Sequence, residues 1–301
     1  MESIYLKWWG CGGFEILLGD VNIAVDPYLF GADLDNAEPI YDYIFISHEH
    51  FDHCHPKTLR KLCQGERFKK LFVSIGCLVY GQNHPLYEEL LPVDKHVPRE
   101  KVQEVYPKYL ADEERSFPGP FELDLGPIQV EAFESGESAS PDLPTCGYLI
   151  THKEKEVSFF HTGDPRAPYP GLANLRGRVD FLIHMKLGLG SAPGHSRPRN
   201  FEVLSQFLDY IEPRFLIPIH YRTDRKSDPI PDGHWPPKID DPFAFIEDLR
   251  EGIGDRTRIL PFTAGVQYEV EMPSKKVKWE WQWFNSWDDD APGWLTESMV
   301  E

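Results

Sequence analysis

Three imidazoles and two carboxylates stand within the six-residue segment His48-Glu49-His50-Phe51-Asp52-His53. The segment follows an apolar run over 43–47 that is typical of a buried strand. Imidazole and carboxylate are ordinary protein ligands of zinc, iron and manganese, and ligands on a loop that leaves a strand can converge without disturbing the sheet. A solvated polar turn is the alternative, but it explains a lone histidine better than this density. The sequence therefore predicts a metal site.

Short β-rich runs and a few amphipathic segments surround this motif in an order that indicates the fold. Strands are predicted over 4–9, 14–18, 22–25, 43–47, 71–74, 121–125, 128–133, 146–150, 157–160, 179–184 and 215–219. Helices are predicted to begin at Pro56, at Gly76, near Asn200 and at Asp241. Alternating groups of strands and helices with short connections predict an α/β fold of the αββα sandwich type.

Three glycines near the N-terminus, Gly10, Gly12 and Gly13, precede the second predicted strand. No helical pattern and no Lys-Ser/Thr pair follows them, so they predict a tight hairpin and not a phosphate-binding loop. Asp26-Pro27 ends the third predicted strand, where it is expected to form a turn. This portion of the chain is therefore predicted to be a β-meander that leads into the histidine motif.

The 301 residues contain no Pro/Gly/Ser-rich linker or low-complexity tract between two independently patterned halves, which predicts one domain. Within it, 81–120 is rich in Pro, Glu and Lys and predicts an insertion or lid, and 275–301 is an acidic extension rich in aromatics. Trp279, Trp281 and Trp283 alternate with polar residues there. They predict an edge strand whose aromatic face packs on the domain, on a second subunit or along the substrate.

The formal charge of −18 at pH 7 counts against nucleic acid as a partner, because such binding depends on Lys and Arg placed against phosphates. A small anionic substrate is compatible with this charge, since metals and one or two arginines can override the global field in a pocket. Five cysteines without a C-x-x-C pair indicate a reducing compartment. The N-terminus lacks a signal-peptide pattern and no apolar run approaches a membrane span. We therefore predict a cytoplasmic protein with a small-molecule substrate, and leave a homo-oligomer open.

Further stretches of the chain carry motifs in a recognisable order. They are Trp9-Gly10-Cys11-Gly12-Gly13-Phe14-Glu15-Ile16 with Ile23-Ala24-Val25-Asp26-Pro27, His161-Thr162-Gly163-Asp164, and Ile217-Pro218-Ile219-His220-Tyr221. Together with the histidine motif they resemble the metallo-β-lactamase-fold superfamily. They are most similar to its ascorbate-6-phosphate lactonase and N-acylphosphatidylethanolamine phospholipase D-like branch. The resemblance implies an αββα sandwich with a dinuclear metal site. It also implies that Asp26-Pro27 lies beside the metal loop, which leaves open a role for Asp26 in supporting metal ligands from behind.

The same resemblance implies two divalent metal ions, zinc, manganese or iron, and no organic cofactor. The implied ligands are His48 and His50 for the first metal, Asp52, His53 and His220 for the second, and Asp164 as the bridge. Of these, Asp52, His53 and Asp164 are the candidate catalytic residues. The third histidine of the first site is missing, because no histidine occurs between His96 and His152. Glu134 is the predicted replacement ligand, and Glu137 or no ligand at all are the alternatives.

These features predict a hydrolase that cleaves a small ester, lactone or phosphoester with a metal-bound hydroxide. A glutamate in place of the third histidine favours iron or manganese, so a di-iron oxidase or oxygenase is the first alternative. A metal-binding protein with degraded catalysis is the second. Lys186, His195 and Arg197 lie on a glycine-containing loop and are candidate substrate contacts. His161 is expected to be a buried neighbour of the site, and Cys54 a small buried hydrophobe.

Overall fold

The computed structural model describes residues 4–10, 12–27, 40–50, 53–55, 58–59, 61–62, 67–79, 93, 97–112, 114–135, 143–165, 167–184, 197–219, 249–262 and 265–278. The strands in chain order are β1 (Ile4–Gly10), β2 (Gly13–Leu18), β3 (Val21–Val25), β4 (Tyr41–Ile46), β5 (Phe68–Ser74), β6 (Val102–Val105), β7 (Glu122–Leu125), β8 (Ile128–Glu134), β9 (Cys146–His152), β10 (Val157–His161), β11 (Phe181–His184), β12 (Phe215–Pro218), β13 (Arg258–Ile259), β14 (Gln267–Glu271) and β15 (Lys276–Lys278). The helices are α1 (Gly76–Val79) and α2 (Arg197–Ile211), with 3-10 turns at Arg99–Lys101, Pro170–Leu175 and Gly254–Arg256. Residues 58–59, 61–62 and 249–253 are also helical.

The first sheet has the strand order β15-β14-β1-β2-β3-β4-β5-β6. Its strands from β3 to β6 are parallel, and the remaining neighbours are antiparallel. Ile4, Leu6 and Trp8 of β1 are fully buried while the residues between them are partly exposed, as expected for a strand with one core face. The hairpin from β1 to β2 closes with Gly10 opposite Gly13, which confirms the prediction from the glycine pattern.

The second sheet has the strand order β13-β12-β11-β10-β9-β8-β7. Strands β10 to β13 are parallel, and β7 to β10 are antiparallel. Every residue of β11 is buried, because the strand is covered on both faces. Across three neighbouring strands the rings of Phe159, Phe181 and Phe215 stack, with centroid distances of 5.1 and 4.9 Å. This aromatic ladder fixes the register of the parallel part of the sheet.

The two sheets face each other across one apolar core, and helical segments cover their outer faces. Phe45 of β4 lies against Tyr148 of β9, with ring centroids 5.1 Å apart. Helix α2 packs on the second sheet, where its Phe207 ring lies 4.9 Å from the His184 ring. The helical residue Leu59 joins a separate buried cluster on the first sheet together with α1. The layers therefore run helix, sheet, sheet, helix, which confirms the predicted αββα sandwich.

Hydrogen bonds join the two sheets at one edge of the sandwich. The Tyr148 hydroxyl donates to Ile46 O at 2.8 Å. One residue further along the chain, Ser47 O accepts the Cys146 N–H at 2.9 Å. The end of β4 is thereby fastened to the start of β9. The histidine motif begins at this point, so the same contacts position the candidate site.

Two ranges that the sequence singled out have a mixed outcome. Part of the predicted insertion, 81–120, is the edge strand β6 of the first sheet, and residues 106–112 and 114–120 cross from β6 to β7; residues 81–92 lie outside the described residues. Strands β6, β13, β14 and β15 were not predicted; in β14 the buried Tyr268 and Val270 alternate with polar residues, a signal that the sequence interpretation missed. The tryptophan strand over 279–283 lies outside the described residues. In the part of the chain that is described, no helix has the length and apolarity needed to cross a membrane.

Candidate metal centre

The three histidines of the motif come together on the loop that follows β4. His48 and His53 are fully buried, and His50 is partly buried. The N–H groups of His53 and Cys54 donate to His50 O at 3.0 and 2.7 Å, which forms a tight turn. The His48 ring centroid lies 4.6 Å from that of His50 and 4.1 Å from that of His53. The spacing of the motif therefore brings its imidazoles to one place, as the sequence predicts.

Asp164 reaches the same place from the second sheet, shortly after β10 ends. One ligand atom each of His48, His50 and Asp164 lies within 4.8 Å of the other two. His53 Nε2 lies 3.9 Å from Asp164 Oδ1. A set of imidazoles and one carboxylate that converge with little exposure to solvent suits a divalent zinc, iron or manganese ion. The donor chemistry of the described residues therefore fits the metal that the sequence predicts.

Asp26 supports the cluster from behind. This fully buried carboxylate accepts the Ser47 N–H at Oδ1, 2.7 Å away, and the Ser47 hydroxyl at Oδ2, 2.6 Å away. His53 Nδ1 donates to the same Oδ2 at 2.8 Å. Since the carboxylate holds the proton on Nδ1, it leaves the Nε2 lone pair of His53 turned toward Asp164. The supporting role that the sequence left open for Asp26 is thus present in the hydrogen bonds.

The Ser47 hydroxyl fixes His48 in the same way. Its proton goes to Asp26, so its oxygen is the acceptor for His48 Nδ1, which lies 2.9 Å away. His48 Nε2 then faces His50 Nδ1 at 3.0 Å, inside the cluster. Ser47 was not singled out from the sequence. Its position directly before the first histidine, at the end of a strand, is the signal that marks it.

Two glycines allow the surrounding turns to approach the histidine loop. A Cβ at Gly12 would lie 2.9 Å from the His53 ring. A Cβ at Gly163 would lie 2.7 Å from Ser135 Oγ and 3.0 Å from Ser47 Cβ, and the φ of Gly163 is 60°. Larger residues at either position would push these turns away from the ligands. The glycine hairpin of the N-terminus therefore serves the site by covering His53.

His161 and Cys54 take the roles expected of them. His161 is fully buried, its Nε2 donates to Gly12 O at 2.9 Å, and its Nδ1 accepts the Gly163 N–H at 3.2 Å. It thus holds two turns beside the cluster. Cys54 is a buried free thiol in the apolar cluster under the first sheet. Burial raises the pKa of Cys77 and of Cys146, so these two thiols stay protonated and are poor nucleophiles.

The structure does not bring Glu134 into the cluster. The carboxylate is only 6% exposed, and its Oε1 accepts Arg115 Nη1 at 2.7 Å. Its Oε2 accepts the Ala111 N–H at 2.5 Å. Both oxygens therefore have protein partners in the described contacts, and neither belongs to the group of ligand atoms formed by His48, His50 and Asp164. The metal-ligand role of Glu134 stays a prediction, and Arg115 is a neighbour that the sequence reasoning missed.

Several predicted site residues cannot be placed. Asp52, Glu137, Lys186, His195 and His220 lie outside the described residues, as does the side chain of Arg197, whose backbone begins α2. Ile219, directly before His220, donates its N–H to His184 O at 3.1 Å. The roles of these residues as ligands or substrate contacts therefore stay predictions.

Glu49 stands between two histidines of the motif but lies against a different element. It is almost completely buried, and a Cβ at Gly76 would collide with its Oε2. Gly76 is the first residue of α1, so the absence of a side chain there makes room for Glu49. The predicted ligand set does not include Glu49, and the structure places this carboxylate against α1.

Comparison with known proteins agrees with this geometry. A family model described as a beta-lactamase superfamily domain matches residues 5–220, which is most of the chain. A UPF0173 protein of Pyrococcus abyssi is 31% identical over 221 residues, covering 72% of this chain and 83% of that protein. A UPF0173 metal-dependent hydrolase of Methanopyrus kandleri is 24% identical over 277 residues, covering 88% of this chain and 99% of that protein. The chain belongs to the beta-lactamase superfamily. Its curated relatives there are UPF0173 proteins, and the expected class of metal-dependent hydrolase is confirmed.

Solved structures show the same fold. A metallo hydrolase of Ignicoccus hospitalis aligns with a TM-score of 0.58 at 16% identity, covering 90% of this chain and 100% of the other. A diiron beta-hydroxylase of Streptomyces venezuelae aligns with a TM-score of 0.56 at 17% identity, covering 90% of this chain and 54% of the other. Identities this low support the sandwich itself and nothing about substrate. The lactonase and phospholipase branch named from the sequence stays a prediction.

Proposed function

We propose that this chain uses two divalent metal ions to hydrolyse a small ester, lactone or phosphoester. The observation that carries the proposal is the convergence of His48, His50 and Asp164 ligand atoms within 4.8 Å, with His53 beside them. By the resemblance, Asp52 and His220 complete the second metal position. Divalent ions in such a site supply Lewis acidity, which lowers the pKa of water and stabilises negative charge on the substrate.

The residues of the chain contribute orientation and shielding. Asp26 keeps the proton of His53 on Nδ1, and the Ser47 oxygen accepts a hydrogen bond from the N–H of His48 Nδ1, so both imidazoles present Nε2 to the centre. Because these contacts are buried, water does not compete for them. Asp164 faces His53 from the opposite sheet, so a substrate held there would lie between fixed groups of both sheets. Asp52, His53 and Asp164 are the residues we propose to be catalytic.

Metal analysis of protein purified without added metal tests the proposal. We expect about two divalent ions per chain, as a dinuclear hydrolase requires. His48→Ala and His50→Ala should lower the metal content and abolish hydrolysis of an aryl ester, a γ-lactone and an aryl phosphodiester. His152→Gln is the matched control, since His152 is a buried histidine at the opposite end of β9 whose Nδ1 accepts the Lys155 N–H. Protein without bound metal, or unaffected turnover in His48→Ala, would contradict the proposal.

A di-iron oxidase or oxygenase is the second candidate. The observation that favours it is the likeness of the fold to the diiron beta-hydroxylase of Streptomyces venezuelae. Carboxylate and imidazole ligands suit iron as well as zinc. Iron in the purified protein, with dioxygen consumption that His50→Ala removes, would support this candidate. Metal without hydrolysis or oxygen uptake would instead point to a metal-binding protein with degraded catalysis.

A further inference from the structure

The segment between β6 and β7 lies across the end of β8 and is fixed there by backbone hydrogen bonds. The Lys108 N–H donates to Ala132 O at 2.7 Å, and the Glu134 N–H donates to Tyr109 O at 3.0 Å. The rings of Tyr109 and Phe133 stack with their centroids 5.0 Å apart. Side chains that follow on this segment are therefore held in defined positions at the end of β8.

Arg115 is a cation that this segment places there. Its Nη1 donates to Glu134 Oε1 at 2.7 Å, and its guanidinium carbon lies 5.2 Å from the centroid of the Phe117 ring. The Arg115 side chain is 27% exposed, but its Nη2 is shielded from solvent and has no hydrogen-bond partner among the described residues. A buried N–H donor without an acceptor is unfavourable. This half of the guanidinium is thus set up for an acceptor that the described part of the chain does not supply.

Glu134 connects this arginine with the metal centre. It pairs with Cys146 across β8 and β9, and the Cys146 N–H donates to Ser47 O at 2.9 Å, directly before the histidine motif. The next residue, Ser135, packs its Oγ against Gly163, directly before the aspartate of the cluster. The guanidinium is therefore anchored on the strand end that adjoins both halves of the ligand cluster.

We propose that Arg115 binds an oxyanion of the substrate, a carboxylate or a phosphate, through Nη2. Glu134 is the positioning residue that orients the guanidinium, and it acts through Arg115 and not as a metal ligand. The inference rests on the proposed function and names the substrate class of the same site. Arginine suits this task because its planar fork matches the oxygens of both groups. In a chain of formal charge −18, an arginine anchored on the strand end that adjoins the ligand cluster supplies a local attraction for anions that the global field lacks.

Two esters with one leaving group test the proposal on metal-loaded protein. p-Nitrophenyl butyrate is neutral, and mono-p-nitrophenyl succinate has a similar length but ends in a carboxylate. We expect the wild type to prefer the succinyl ester, and Arg115→Met to raise the KM of that ester about 10- to 100-fold, as for the loss of a charged hydrogen bond, with kcat nearly unchanged. The KM and kcat for the butyryl ester should be the same in Arg115→Met as in the wild type. Glu134→Gln should also raise the KM of the succinyl ester while the metal content stays at the wild-type level.

Arg178 provides a matched control. Its Nη2 forms an ion pair with Glu131, which lies on β8 as Glu134 does. Arg178→Met should leave the KM of both esters unchanged. Arg115→Lys keeps the positive charge but loses the planar fork, so it should lose most of the preference for the succinyl ester over the butyryl ester. If Arg115→Met does not fold, the result for Arg115→Lys tests the proposal in its place. Equal losses on both esters, or loss of metal in Arg115→Met, would show a purely structural role and overturn the proposal.

Equilibrium binding separates this inference from the proposed hydrolysis. Calorimetric titration of metal-loaded protein with succinate and with inorganic phosphate measures oxyanion binding without turnover, and the tighter of the two identifies the preferred group. Binding that Arg115→Met weakens, in a wild type that hydrolyses neither the esters nor the γ-lactone nor the aryl phosphodiester, would refute hydrolysis and support the inference. Equal binding by the wild type and by Arg115→Met overturns the inference, whether or not esters are hydrolysed.

Discussion

Asp26 is the residue on which the orientation of the candidate ligands depends most. Its two oxygens accept hydrogen bonds from the Ser47 backbone, the Ser47 hydroxyl and His53 Nδ1. Its backbone has a φ of 46°, in the left-handed region that asparagine and aspartate tolerate better than most residues. The side chain, the backbone conformation and the burial at this position therefore all serve one network.

Replacing Asp26 by asparagine tests that network with little change of shape. The Asp26→Asn variant would keep the left-handed backbone but lose the negative charge that holds the proton on His53 Nδ1. We expect the affinity for zinc or manganese to fall about 10- to 100-fold, as for other groups that orient metal ligands. Titration of metal-free protein with each ion in the presence of a competing chelator measures this directly.

Asp180 is the matched control for Asp26→Asn. It also accepts hydrogen bonds from a serine backbone and hydroxyl, both of Ser158, and it pairs with Lys275. Asp180 is distant from the histidine motif in the chain, and none of these contacts involves that motif. Asp180→Asn should therefore leave the metal affinity unchanged. An equal fall in both variants would mean that stability of the fold, and not ligand orientation, sets the affinity.

At the scale of elements, the turn after β10 closely approaches the loop after β4. Gly163 lies in this turn with a φ of 60°, and a Cβ there would stand 2.7 Å from Ser135 Oγ. We expect Gly163→Ala to destabilise the fold by about 1–3 kcal/mol and to weaken metal binding, because the turn carries Asp164. Urea unfolding and metal titration of the same variant measure the two effects.

Gly177 distinguishes the cost of a left-handed backbone conformation from the cost of the steric contact at Gly163. Its φ of 67° is similar, but no atom of the described residues lies within 4 Å of a Cβ placed there. Gly177→Ala therefore incurs the backbone strain alone and should be destabilised less, with normal metal binding. Combining Gly163→Ala with Ser135→Gly should recover part of the loss, since the nearest colliding atom is removed. No recovery would show that the backbone conformation, and not the contact, is decisive.

Elements differ in how far the sequence reveals them. The histidine loop is predictable because its ligands are neighbours in the chain and follow a clear strand. The partner of Glu134 is not, because Arg115 lies 19 residues earlier, on a segment whose Pro, Glu and Lys pattern predicts only an insertion or lid. The pairing of β14 with β1 is similarly hidden, since it joins opposite ends of the described chain and depends on a register that no local pattern encodes.

At the scale of the whole molecule, the sandwich follows from strand periodicity and from the order of the motifs, and both are present in the sequence. What the sequence does not specify is which buried polar groups face the metal centre and which face the helical layers. His161 and His184 end neighbouring parallel strands, yet His161 bonds to Gly12 in the first sheet while His184 lies against Phe207 of α2. Successive side chains of a strand point to opposite faces of the sheet, so a shift of one residue in strand register changes the face on which a histidine lies. His161 pairs with Ile183, and His184 is therefore on the other face.

His184 makes the stability of the molecule depend on pH. Burial, and to a lesser degree His161, lower the pKa of its imidazole to about 3, and its Nδ1 has no hydrogen-bond partner in the described part of the chain. In the unfolded chain a histidine has a pKa of about 6.5, so between these values the unfolded state binds a proton that the folded state does not. The contribution of His184 is therefore full above pH 6.5 and decreases as the pH falls toward 3.

Replacing His184 by leucine should remove this dependence. Relative to pH 8, the wild type should lose about 1.4 kcal/mol more unfolding free energy at about pH 5.5 than the variant does, because that pH lies about one unit below the unfolded pKa. Urea unfolding at these two pH values measures the difference. Metal-free protein is used because competition between protons and metal for the ligands would add its own pH dependence. Since both proteins share every other titrating group, those contributions cancel in the comparison. Parallel pH profiles for the wild type and His184→Leu would show that His184 binds its proton equally in both states, contrary to the effect of its burial.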